Sequence, residues 1–220
     1  MRLSLSEKYR PKSLEQVIGQ PEAVATVRSM IDRGVLDGHA YWLSGASGSG
    51  KTTLARIIAG EVADPFCVSE WDGSELSPSV LTDVASTWHQ RGWGRGGRAF
   101  IVNEAHGLTK PTVRRLLTLF EKDDGIPEGM VWVFTTTTAG QQKFEDGIDA
   151  DPFLSRCTVL PLAAWEPDVL AAYVRSIAQA EGLDGQPLTR YVWLAQRLKW
   201  NPRAMLAHVE AGKMLTGSQG

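Results

Sequence analysis

The chain of 220 residues predicts an α/β fold: a parallel sheet covered by helices on both faces, then a small all-helical unit. Three observations carry this expectation. Short, continuously apolar runs alternate with amphipathic helical stretches up to about Ala163, the pattern of strands buried on both faces. At Gly45 one apolar run breaks into a glycine loop that opens directly onto helical periodicity. From Trp165 onward three helical stretches follow one another with no strand between them.

Taken in order, residues 3–20 read as an extended, Pro-containing arm. "PEAVATVRSMIDRG" reads as a helix with Pro21 in its first turn and a stop at Gly34. "AYWLS" is a first strand and "GKTTLARIIAGEVA" a helix. "PFCVSEWDG" holds a second strand, and "SPSVLTDVASTWHQRG" a helix capped by Ser77. "RAFIVN" is a third strand. Thr109 is placed to cap the next helix, which carries Val113, Leu116, Leu117 and Phe120 on one face. "MVWVFTTT" and "CTVLPL" supply a fourth and a fifth strand. "EPDVLAAYVRSIAQAEG", "PLTRYVWLAQRLK" and "NPRAMLAHVEAGKML" are the final helices. The expected division is residues 1–163 (with the arm at 1–20), 164–216, and a disordered tail at 217–220.

Composition narrows the function classes. A net charge of −2 and a pI near 6.1 argue against a uniformly basic nucleic-acid-coating protein, so any DNA contact must be local. Cys67 and Cys157 form neither a disulfide framework nor a zinc spacing. The N-terminal residues lack the apolar run of a signal peptide, and no stretch approaches the roughly 20 apolar residues of a membrane span. A cytoplasmic protein is expected.

"GASGSGKT" (Gly45, Ala46, Ser47, Gly48, Ser49, Gly50, Lys51, Thr52) matches G-x-x-x-x-G-K-[ST] after a strand and before a helix. Small residues let backbone N–H groups close on phosphates at the positive end of the helix, with Thr53 next in line. Lys51 would neutralise terminal phosphate oxygens, and the Thr52 hydroxyl would ligate magnesium. The strand "AFIVNE" ends in a second element. Glu104 stands where a water-activating carboxylate belongs; a solvated acid after a strand is the alternative, and the strand context favours the former. Asn103 occupies the place of a metal-steadying acid. Its amide supplies no charge, and the attraction forgone is at most about 4 kcal/mol per unit-charge pair at 4 Å and an effective dielectric of 20. Its oxygen still accepts a hydrogen bond from Thr52 or a metal-bound water, so weakened rather than absent magnesium use is expected.

"EKYRPKSLEQVIGQ", the phosphate loop, "IVNEAHGLT", "LSRC" and "NPRAMLAHVE" together resemble, in order and spacing, the AAA+ ATPases and specifically the clamp-loader subunits of replicative polymerases, from about residue 7 to 215. That resemblance implies a RecA-like P-loop domain with a three-helix lid, binding ATP and magnesium between them. It implies that Tyr9, Arg10, Pro11, Val17 and Ile18 line the adenine pocket. Thr137, with Thr136 as the neighbouring alternative in register, would sense the γ-phosphate or the attacking water. Arg156 would reach into the ATP site of an adjoining AAA+ subunit, and Arg203 would couple the lid to the γ-phosphate.

The departures are Asn103 itself, the missing four-cysteine zinc insertion of bacterial clamp loaders, and no length beyond the lid for an assembly collar. Lys110, Arg114 and Arg115, with the "QRGWGRGGR" loop carrying Arg91, Trp93, Arg95 and Arg98, offer either DNA-phosphate contacts or a solvated basic face. Trp42, Trp132 and Trp193 lie in apolar contexts that suit core packing. The function expected is an ATP-binding, ATP-hydrolysing clamp-loader-like subunit in DNA replication or repair, working with AAA+ subunits, DNA and a sliding clamp. A non-hydrolysing nucleotide-binding assembly subunit and a branch-migration-type motor are the alternatives.

Overall fold

The computed structural model describes residues 3–88, 90, 92, 94, 96–121, 125–137 and 150–215. Five strands, β1 (His39–Ser44), β2 (Val68–Asp72), β3 (Arg98–Asn103), β4 (Met130–Thr136) and β5 (Cys157–Pro161), form one sheet in the order β2-β3-β4-β1-β5. Every pairing is parallel. The helices are α1 (Leu5–Lys8), α2 (Pro21–Asp32), α3 (Lys51–Val62), α4 (Pro78–Ser86), α5 (Lys110–Glu121), α6 (Asp151–Leu154), α7 (Pro167–Ala180), α8 (Leu188–Arg197) and α9 (Pro202–Glu210).

Because side chains alternate along a strand, each apolar strand feeds two cores. Ala40, Trp42, Phe100, Trp132 and Phe134 pack with Leu81 of α4 and Leu116 and Phe120 of α5. Tyr41, Leu43, Ile101, Val131 and Val133 pack with Val27 of α2 and Leu54 and Ile58 of α3. The first core is an aromatic stack: ring centroids lie 4.5 Å apart for Phe100 and Trp132, and 4.9 Å apart for Phe134 and Phe153. In register, Ser44 faces Thr136 and Val102 faces Phe134, so the carboxyl ends of β1, β3 and β4 lie side by side. In open parallel sheets the crevice outside these ends holds ligands.

Helices α7, α8 and α9 bury a third cluster of their own, from Leu170 and Val174 through Tyr191 and Leu194 to Met205 and Val209. Leu5 belongs to this cluster and Leu14 to the sheet core with α2 and α3, so the N-terminal arm packs on both. The arm is also not uniformly extended. It forms α1 behind Ser4 and a 3₁₀ turn at Leu14–Gln16, with the Lys12 N–H donating to Gln16 Oε1 at 2.8 Å.

Trp193 corrects a second expectation. Trp42 and Trp132 are fully buried, but Trp193 is 40% exposed. On α8 the buried stripe is Tyr191, Leu194 and Ala195, which turns residue 193 outward beneath the Arg190 and Arg197 guanidiniums. On α5, Leu119 joins Val113, Leu116 and Phe120 in the buried face, while Leu117 is only partly covered. Arg91, Trp93, Arg95 and the tail at 217–220 lie outside the described residues.

Candidate nucleotide-binding site

The phosphate loop leaves the buried end of β1 and turns into α3, whose N-cap is Gly50 with no side-chain cap. The first N–H groups of α3 therefore face the cleft without a side-chain acceptor, which suits an anion. Gly48 has φ +82, and a Cβ there would lie 3.1 Å from Pro202 Cδ at the start of α9. Only glycine combines that conformation with so close an approach. The Ser49 hydroxyl is buried with no partner among the described residues.

Lys51 is 7% exposed, and its Nζ donates to the Gly45 carbonyl at 2.9 Å and the Ala46 carbonyl at 3.0 Å. Burial pulls its pKa below the ordinary lysine value, and the Glu104 carboxylate pushes it back up. Loop carbonyls thus hold the ammonium where phosphate oxygens would replace them.

Asn103 ends β3 and is bonded on both sides of its amide. Oδ1 accepts from Thr52 Oγ1 and from Thr135 Oγ1, each at 3.1 Å. Nδ2 donates to Glu70 Oε1 at 2.6 Å, and Glu70 in turn takes both Arg56 Nε and Nη2, at 3.0 and 3.1 Å. Glu104 follows in the left-handed region at φ 46, a conformation that costs a non-glycine residue about 1 kcal/mol or more. The turn after β2 supports it: Gly73 N–H donates to the Asn103 carbonyl at 2.6 Å, and a Cβ on Gly73 would fall 2.5 Å from the Glu104 carbonyl oxygen. Held this way, Glu104 borders the cleft, its carboxylate 3.5 Å from His106 Nδ1, which also meets Thr136 Oγ1 at 3.2 Å.

The cleft, of about 260 Å³, is lined by Tyr9, Arg10, Pro11, Val17 and Ile18 from the arm, by Ser47 to Thr53, and by Glu104 and Arg203. Gly45 and Ala46 contribute carbonyls to Lys51 and do not line it. Asn103 stands behind Thr52, and Thr137 follows β4 without lining the cleft. Arg156 lies elsewhere, after α6, where it pairs with Glu121 at the end of α5 and donates to the Pro152 carbonyl.

Several contributors carried no motif. Trp165 and Tyr173, stacked 5.9 Å apart at 13°, add an aromatic wall to the cleft. Trp165 Nε1 also donates to the Gly48 carbonyl at 3.0 Å. Gln20 clamps loop and lid linker together: Nε2 donates to the Ser49 and Ala163 carbonyls, and Oε1 accepts the Ala163 N–H. Trp165 sat in the sequence only as the first residue after the change of pattern, and Glu70 only as an acid within a short strand.

Among the described residues no group of three or more His, Cys, Asp or Glu side chains could hold a metal ion. A magnesium ion commonly takes most of its ligands from substrate phosphates and water, and the side chains that would meet it here are the Thr52 hydroxyl and, behind it, the Asn103 amide. The uncapped α3 terminus, the buried Ser49 hydroxyl, the carbonyl-held Lys51 and an aromatic wall together fit a magnesium–nucleoside triphosphate.

A P-loop sheet with a helical lid closing over the loop defines the class: a P-loop nucleotide-binding protein. Comparisons with known proteins specify the branch. The chain is 30% identical over 206 residues to the DNA polymerase III subunit gamma/tau of Mycobacterium tuberculosis, covering 82% of this chain and 34% of that protein. It is also 30% identical over 190 residues to the replication factor C small subunit of Halobacterium salinarum, covering 81% of this chain and 53% of that one. The chain thus spans between a third and about half of the length of these relatives. The Holliday junction branch migration motor RuvB of Thermotoga maritima shares the fold, with a TM-score of 0.70 at 24% identity over 92% of this chain and 64% of that one. No protein-family model matches. In sequence the chain resembles the clamp-loader subunits, and its motifs and fold are those of an AAA+ ATPase-like domain.

Proposed function

We propose that the chain binds and hydrolyses ATP with magnesium as a clamp-loader-type subunit in DNA replication or repair. The observation that carries this is the convergence of Lys51, Thr52 and Glu104 on one cleft walled by the arm and the lid. Lys51 exchanges loop carbonyls for phosphate oxygens. Thr52 offers its hydroxyl oxygen to the cation, and Asn103 receives the hydroxyl hydrogen. Glu104 takes the proton of the attacking water, and Thr137, just after β4 and outside the lining of the cleft, is the proposed sensor of that water or of the γ-phosphate. The water oxygen bonds to the γ-phosphorus as the bond to the ADP oxygen breaks, and a magnesium ion held by Thr52 and the phosphates would offset the charge on the phosphate oxygens.

Tyr9, Arg10, Pro11, Val17 and Ile18 hold the base, and Arg203 at the start of α9 ties lid position to the terminal phosphate. Arg156, outside the chain's own cleft, completes the site of an adjoining AAA+ subunit. The exposed Lys110 and Arg114 and the half-buried Arg115 of α5, with Arg98, give a local face for DNA phosphates, and a sliding clamp is the expected protein partner. Among the described residues no helix is long and apolar enough to cross a membrane; we place the protein in the cytoplasm. Asn103 favours one second reading, a subunit that holds ATP without turnover.

Calorimetric titration of ATP with magnesium tests the reading. One molecule of ATP per chain, with binding lost in Lys51→Ala at unchanged thermal stability, supports it. No binding by the unaltered chain, or equal binding by the variant, contradicts it.

A further inference from the structure

We propose that Glu70 is a positioning residue for the metal side of this cleft: by accepting the Asn103 Nδ2–H it fixes the amide with its oxygen toward Thr52. It also makes an amide, and not a carboxylate, the side chain that fits at position 103. The proposal rests on the reading of the cleft as a magnesium–nucleotide site.

The argument turns on which partners can only accept. The hydroxyls of Thr52 and Thr135 donate or accept equally well, so by themselves they leave the Asn103 amide free to turn over. An ionised carboxylate has no hydrogen to give. Glu70, 2.6 Å from Nδ2, is therefore the group that settles the direction, and Oδ1 must face the two threonines. The consequence falls on Thr52. Donating to Oδ1, its hydroxyl keeps its lone pairs for a cation. With the amide reversed, Thr52 would accept from Nδ2–H and turn its own hydrogen toward the cation site.

Glu70 is itself held. Arg56 grips both of its oxygens from α3, the helix that begins with Lys51 and Thr52, so the carboxylate, the amide and the hydroxyl share one rigid frame. An aspartate at position 103 would set a second carboxylate directly against Glu70, whose own partner is the one Arg56 guanidinium, a like-charge contact. Restoring the acid by charge counting alone therefore works against this geometry.

Four variants test the proposal: Glu70→Ala, Asn103→Asp, Glu70→Gln, and Glu70→Gln with Asn103→Asp. Two quantities are read, the thermal midpoint without nucleotide and the ratio of ATP affinity in magnesium to that in EDTA. Glu70→Ala is expected to lower that ratio about tenfold while leaving the affinity in EDTA unchanged, a split that lost packing would not produce. Asn103→Asp is expected to lower the midpoint and leave the ratio no higher than in the unaltered chain. The double variant is expected to recover the midpoint beyond the sum of the single changes, because the amide introduced on β2 can donate to the carboxylate introduced on β3, and to raise the ratio above that of Asn103→Asp. Asn103→Asp and the double variant keep a side chain at position 70, so they read the same contact should Glu70→Ala not fold. An unchanged ratio in Glu70→Ala overturns the proposal, as does Asn103→Asp raising the ratio at an unchanged midpoint. Absence of magnesium-dependent ATP binding by the unaltered chain overturns the reading of the cleft and the proposal with it.

Discussion

Glu104 sits at φ 46, supported by the Gly73 turn beneath it, and in that conformation it borders the cleft with its carboxylate 3.5 Å from His106 Nδ1. Changing it to Gln keeps the shape and removes the carboxylate that we propose as the base. Turnover is expected to fall by about 10²–10⁴ while ATP affinity stays within a small factor, measured by steady-state hydrolysis beside equilibrium binding. Equal turnover would assign the base elsewhere. The phosphate loop, Glu104 and Asn103 were all legible in the sequence, because a glycine loop between a strand and a helix, and an acid at a strand end, are local patterns. Glu70 was not. Its role comes from the pairing of β2 with β3, which no local spacing encodes, and from the side-chain reach between them.

At the scale of elements, the junction of α7 and α8 is held by Asp184. Its carboxylate receives Tyr191 Oη at 2.9 Å, and Arg175 Nε and Gln179 Nε2 each at 3.1 Å. Burial pushes its pKa up, but these hydrogen bonds outweigh that and hold it below the ordinary value. The folded pKa lies below the unfolded one, so the stabilisation is fully present above the unfolded value, near 3.9, and is lost as pH falls through the folded value. Asp184→Ala is expected to cost about 1–3 kcal/mol at pH 7 and to flatten the acid limb of stability in urea unfolding at pH 3 to 7. An unaltered acid limb would place that dependence on other groups. The strands and the last three helices were readable from apolar runs and periodicity. Trp193 was not: an apolar neighbourhood in sequence says nothing of which helix face it occupies until the stripe of Tyr191, Leu194 and Ala195 fixes the rotation.

In the whole molecule, the arm joins one sheet core to the helical cluster around the cleft. Leu5 lies in the helical cluster, Leu14 in the sheet cluster, and Gln20 bonds both the phosphate loop and the lid linker. The cleft is therefore closed by parts of the chain far apart in sequence, and only the glycine loop among them announced itself by composition. Arg156 stands apart from that cleft, paired with Glu121, and we assign it to the site of an adjoining subunit. This is the most direct point of test: steady-state ATP hydrolysis across a range of chain concentrations, with and without primed DNA, for the unaltered chain and for Arg156→Ala. Turnover per chain that rises with concentration and falls by about 10³ or more in the variant is the predicted result. Turnover per chain independent of concentration and unaffected by Arg156→Ala would contradict a site completed between subunits.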